Sequence, residues 1–148
     1  MQFALDWQGI HGAAHWARVR ANGLKLAEAS QARTDVVELF SFFHDSMRAN
    51  DDFDPHHGIR AAHYVESLRG KLFELDDSGL DLLKLACEEH SNGLMDADIT
   101  VQVCWDADRL DLGRVGIRPD PYRLCTEAAK DAEMIEWAYA RSIKGHSD

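Results

Sequence analysis

The sequence predicts an all-α, compact single-domain helical bundle of about six helices. Three observations lead there. Apolar residues recur at spacings of three and four over long stretches, the period of a helix with one buried face. The alternation of β-branched residues that marks strands is almost absent. Only three prolines occur, Pro55, Pro119 and Pro121, so long stretches are free to be helical. A chain of 148 residues suits one domain, 1–148, with one core.

Each element has its own signal. The first helix is predicted from about Ile10 to Ala29. The second starts after Thr34, an N-cap followed by Asp35, and passes through Val36, Val37, Leu39, Phe40 and Phe43 to about Met47. Composition makes residues 50–55, Asn-Asp-Asp-Phe-Asp-Pro, a loop. A third helix, His57 to Arg69, puts Ala61, Tyr64 and Leu68 on one face despite Gly58. Asp77-Ser78 caps a fourth, where Leu80, Leu83, Cys87 and His90 are spaced by three and four, and Ser91-Asn92-Gly93 ends it. A fifth spans about Ala97 to Leu112, with Val101, Cys104, Trp105 and Asp108 in register. Pro119 and Pro121 interrupt the chain near a loop at 117, and the last helix is predicted over about 122–143.

Composition narrows the function classes. Lys and Arg number 16 against 26 Asp and Glu, a formal net charge of −10. Such a surface repels nucleic-acid polymers and anionic lipid, so neither is expected as a partner, and a phosphorylated substrate needs a local cation. No apolar run approaches the length of a membrane span, and Met1–Asp6 has neither the basic nor the apolar region of a signal peptide. Three cysteines, Cys87, Cys104 and Cys125, form no C-x-x-C pair, which argues against a disulfide framework or a structural zinc site. The expected setting is reducing and cytoplasmic. Trp7, Trp16, Trp105 and Trp137 are core or interface residues, mostly core, and a homo-oligomer is left open.

The chemistry lies in the eight histidines, several of them beside Asp. His44, His90 and Asp108 each continue the apolar stripe of a different helix. A carboxylate buried there is costly unless it is paired or bound to a metal. His11 and His15 share a helix face four residues apart, and His44-Asp45 sits at a helix C-terminal end, where both members can reach one ion only if the site lies at that end.

The order of these residues is His15-x-x-Arg18-Val19, Phe42-Phe43-His44-Asp45, His57-x-x-x-Ala61-Ala62, His90-Ser91 and Asp106-Ala107-Asp108-Arg109-Leu110-Asp111. It resembles the HD-domain superfamily of metal-dependent phosphohydrolases over about residues 11–116. The resemblance implies metal ligands at His15, His44, Asp45 and Asp108, and a catalytic role for Asp45, His57 and His90. His57 and His90 match positions that dinuclear members use for a second metal; in mononuclear members such residues touch substrate, and neighbouring His56 competes with His57 for the role. Asp106 is a solvated carboxylate or a support for a ligand. Asp111 orients a ligand or pairs with Arg109 or Arg114. Gly58 and Ala61 stand where the family has proline and glycine. No Gly-Tyr-Pro follows His90, so the cyclic-di-GMP phosphodiesterase branch is not expected, and Ser46 after Asp45 departs from another branch.

Mixed imidazole and carboxylate donors suit Mn, Fe, Co, Ni or Zn, one ion or two. Arg18, Arg48 and Arg60 are each placed either to hold a substrate phosphate or to form a surface salt bridge. Residues 51–54 are expected near the site, as a solvated turn or as support for its ligands. His63 and His146 read as surface residues. The expectation is a metal-dependent phosphohydrolase acting on a small phosphate ester or nucleotide through a metal-activated water. The alternatives are a di-iron oxygenase on the same fold and a metal-containing binding or regulatory protein without turnover.

Overall fold

The structure is a computed structural model that describes Leu5, residues 9–48, Asp54 and residues 56–144. The readings of the N-terminal segment, of Trp7, of the 50–55 loop (Asp54 apart) and of His146 fall outside the described residues. Among the described residues seven α-helices follow in chain order: α1 (Ala13–Glu28), α2 (Thr34–Phe43), α3 (His57–Leu68), α4 (Asp77–Glu89), α5 (Ile99–Arg109), α6 (Glu127–Lys130) and α7 (Ala132–Lys144). Two 3-10 turns, Leu112–Val115 and Pro121–Arg123, join α5 to α6. No β-strand occurs among the described residues, and none of these helices is long and apolar enough to cross a membrane. The expected all-α bundle is therefore what forms.

The core lies where α1, α2, α4 and α5 meet, with α3 laid against α4 and α7 closing the far side. Val19, Leu26, Phe40, Phe43, Leu83, Val101, Cys104 and Trp105 are all buried there. Each large apolar side chain so buried contributes about 1.5–3 kcal/mol. Trp105 also donates from its indole to the Ala86 carbonyl at 3.1 Å, tying α5 to α4. Trp16 and Trp105 are core residues, as expected, and Trp137 packs on the core edge.

Several helix boundaries differ from the sequence reading. Helix α1 starts at Ala13, so the buried His11 precedes it. Helix α4 is capped by Asp76, whose carboxylate accepts from the Gly79 amide at 2.8 Å. Helix α2 stops at Phe43, where the Ser46 hydroxyl and amide both donate to the Phe43 carbonyl. That early stop turns His44 and Asp45 out of the helix together.

The last helix is not continuous. Residues 122–126 form a 3-10 turn and an extended strip, and α6 is a single turn before α7. The cause is Asp106. It is fully buried, not solvated: its carboxylate accepts from the Cys125 amide (2.7 Å), the Thr126 amide (2.9 Å) and the Thr126 hydroxyl (2.8 Å). Those amides serve Asp106 instead of a helix, and Thr126 Oγ1 then caps α6 by accepting from the Ala129 amide.

Candidate metal centre

Five elements deliver their polar residues to one buried point. His15 comes from α1, His44 and Asp45 from the turn that ends α2, His57 from the first turn of α3, His90 from the end of α4, and Asp108 from the end of α5. Apart from Asp108, every one of them is a buried residue.

The donor atoms fall into two groups. In the first, His15 Nε2 lies 3.1 Å from His44 Nε2 and 3.1 Å from Asp108 Oδ1, and His44 Nε2 lies 3.3 Å from the same oxygen. Asp45 Oδ2 joins them at 3.4 Å from His15 and 3.3 Å from His44. In the second, His57 Nε2 and His90 Nε2 are 2.8 Å apart, each 3.3 Å from Asp45 Oδ1. One carboxylate thus presents one oxygen to each group.

Every imidazole is oriented through its other nitrogen. Nδ1 of His15 faces Asp111 Oδ2 at 2.6 Å, and Nδ1 of His44, His57 and His90 faces the carbonyls of Phe40 (3.1 Å), Asp54 (2.6 Å) and Cys87 (2.7 Å). Carbonyls only accept, so these three Nδ1 atoms carry the protons and the Nε2 lone pairs point inward. Lone pairs facing one another at hydrogen-bond distance require a cation or a proton between them. Asp108 Oδ1 makes the same demand: it is buried among ring nitrogens yet has no hydrogen-bond partner. Donors 3.1–3.4 Å apart are spaced like neighbouring ligands on a transition ion with bonds of about 2.0–2.2 Å. The residues therefore fit a metal ion, and two overlapping triads, His15–His44–Asp108 and His44–Asp45–His90, have the spacing for one.

The electrostatics agree. Burial opposes a charged His44, but Asp45 and Asp108 outweigh it and lift its pKa to about 10. His15 is also raised, against burial and Arg114, by Asp108, Asp111 and Asp45. Burial alone would raise Asp45 and Asp108; His44 and then His15 instead hold both carboxyls well below their usual range. The site prefers anionic carboxylates with positive charge between them.

A cavity of about 910 Å³ opens over Asp45, His90 and Asp108. Five of the chain's eleven arginines line it, Arg48, Arg109, Arg114, Arg118 and Arg123, and no lysine does. Of the three arginines singled out in the sequence, only Arg48 belongs to it, with Nε 3.3 Å from Asp45 Oδ1. Arg18 is corrected to a positioning residue: it is 4% exposed and donates from Nε to Asp111 Oδ1 at 2.7 Å, behind His15. Arg60 is corrected likewise. It donates to the Met47 carbonyl at 2.9 Å and to both Asp54 carboxylate oxygens at 2.8 and 2.6 Å, fastening the residue that orients His57. His57, not the exposed His56, reaches the site, and His63 is a surface residue. Asp111 orients His15, one of its two anticipated roles, and its carboxylate also approaches Arg114 at 3.9 Å. Arg109 and Arg114 were expected only as partners of Asp111, and Arg118 and Arg123 were not singled out; the clustering of all four in an acidic chain was the available signal. Comparison with family models, with curated proteins and with solved structures found no match to this chain.

Proposed function

We propose that the protein is a metal-dependent phosphohydrolase acting on a small phosphate ester or nucleotide at a two-metal centre. The observation that carries this reading is Asp45, shared between two groups of inward-facing donors beneath an arginine-lined cavity. The resemblance leads to one ion, with two as the alternative; the shared carboxylate supports two. His15, His44, Asp45 and Asp108 would hold one ion, and His57, His90 and Asp45 the other. When bound, such ions lower the pKa of a water and offset charge on a phosphoryl oxygen. The chain's own residues supply the rest. Arg48 and Arg114, both mostly buried at the cavity floor, provide guanidinium donors for phosphate oxygens. Asp111 and the three carbonyls fix the rings, so little reorganisation accompanies the reaction.

The shared carboxylate also suits a second reading, a di-iron oxygenase, which needs the same six residues. Elemental analysis of protein purified without chelator, beside Asp45→Ala, separates the two. Two Mn, Co, Ni or Zn ions per chain, both lost in the variant together with phosphate release from nucleoside monophosphates and p-nitrophenyl phosphate, support the hydrolase. Two irons with oxygen consumption and no phosphate release support the oxygenase. Full hydrolysis by Asp45→Ala overturns the site assignment, and metal bound with neither activity favours a regulatory protein.

A further inference from the structure

The cavity has two unlike ends. Its floor holds the donors and Arg48. Its outer wall is the 116–124 segment, which carries Ile117 at 53% exposure and Tyr122 at 91%. A phosphate ion needs only a small part of 910 Å³; the space suits an organic group as well. Arg123, next to Tyr122, lines the same wall, and its guanidinium has no hydrogen-bond or ion-pair partner among the described residues. Arg118 by contrast is paired with Glu136.

This wall is held in place before anything binds. At one end Gly116 takes a left-handed φ of 81°, a turn that favours glycine, and donates to the Gly113 carbonyl at 3.0 Å. At the other end Asp106 binds the backbone of Cys125 and Thr126. Pro119 and Pro121 restrict the chain between. The Arg109 side chain donates to the Arg123 carbonyl at 3.1 Å and the Leu94 carbonyl at 2.7 Å, bracing the wall against the segment after α4. An exposed aromatic ring and an uncommitted guanidinium, adjacent on a braced segment that lines the same cavity as Asp45, His90 and Asp108, are suited to a planar, electron-rich group.

We propose that the 116–124 wall is a stacking platform, with Tyr122 and Arg123 selecting phosphate esters whose organic group is a nucleobase or a similar aromatic ring. The inference rests on the phosphohydrolase reading for the placement of the phosphate, and it makes nucleotides, rather than sugar phosphates, the substrate class.

AMP and ribose 5-phosphate share a phosphate and a sugar and differ in the base, so their affinities isolate the wall. Calorimetric titration of the manganese-loaded full chain is expected to show AMP binding about tenfold tighter than ribose 5-phosphate, the scale of one base stacked on an aromatic ring. Tyr122→Ala, at a side chain almost wholly in solvent, should bring AMP close to ribose 5-phosphate while leaving the latter unchanged; Arg123→Ala should remove part of the advantage. Equal affinities in the wild type, or an AMP advantage that survives both substitutions, overturn the platform, and hydrolysis of both compounds then leaves the phosphohydrolase standing. An AMP preference lost in Tyr122→Ala, without phosphate release, keeps the platform and overturns the hydrolase. If neither compound binds, both proposals fall.

Discussion

Asp111 acts one step away from the donor atoms. Its Oδ2 receives the His15 Nδ1 proton at 2.6 Å while its Oδ1 holds Arg18 at 2.7 Å. Asp111→Ala would loosen the His15 ring and deprive a buried guanidinium of its carboxylate. Losing one member of a buried ion pair costs about 3–5 kcal/mol. Losing the residue that orients a metal-binding histidine weakens the metal about 10- to 100-fold. Urea unfolding and competition with a chromophoric chelator would read the two effects separately. Asp111→Asn keeps a neutral acceptor for one neighbour and should regain part of the stability but little of the affinity. Wild-type metal affinity in Asp111→Ala would remove Asp111 from the site. His90→Ala gives a complementary result at this scale. The His90 Nε2 meets Asp45 at Oδ1, the oxygen it shares with His57, so the substitution should cost one of two bound ions, whereas Asp45→Ala costs both.

At the scale of helices, the second donor group depends on how closely α3 approaches α4. Gly58 is the first residue after His57, and a Cβ there would stand 2.5 Å from the Cys87 carbonyl oxygen and 2.6 Å from that of Glu88. Both atoms are α4 backbone and cannot rotate away. Gly58→Ala must therefore push α3 outward, separating His57 from His90, which now stand 2.8 Å apart. The expected outcome is a destabilisation of about 1–3 kcal/mol and loss of one bound ion with the His15–His44–Asp108 group still loaded. Elemental analysis that still finds two ions would show that helix spacing does not set this site. The same residue shows what the sequence does and does not reveal. His44, His90 and Asp108 were legible because each continues an apolar stripe on its own helix, a pattern that survives without any partner, whereas His15 was legible only from its spacing to His11 and from the ordered resemblance. Gly58 read only as a tolerated flaw in α3, because its reason is a backbone on another helix. Asp106 read as solvated or supporting because it sits opposite Asp108 on α5; that opposite face is covered by residues 125–126, which no periodicity within α5 foretells. Spacing from His15 and His57 left Arg18 and Arg60 open between a phosphate contact and a salt bridge; their partners, Asp111 and Asp54, give the salt bridge and lie on other segments, which spacing alone does not reveal.

Across the whole molecule, the centre sets how stability responds to pH. Without metal, positive charge on His44 and His15 neutralises Asp45 and Asp108. His44 titrates near 6.5 when unfolded and is lifted to about 10 in the fold. Its contribution is fully present below about pH 6.5 and is lost as the pH rises toward 10. Asp45 and Asp108 are displaced downward, so their contribution is present above their ordinary value of 3.8 and is lost as the pH falls below it. Metal-free protein should therefore hold its highest Tm between about pH 4 and 6.5 and decline steadily toward pH 10. Bound metal reverses the upper limb. Protons and metal compete for the same Nε2 atoms, so the affinity of added manganese rises as the pH climbs through this range. Because a ligand that binds only the folded state stabilises it according to its affinity, the gap between loaded and metal-free Tm should widen from pH 6.5 to 10. Thermal melts with EDTA and with manganese at fixed ionic strength measure that gap. A gap constant with pH would mean that protons and metal do not share these atoms, and the two-group centre around Asp45 would have to be abandoned.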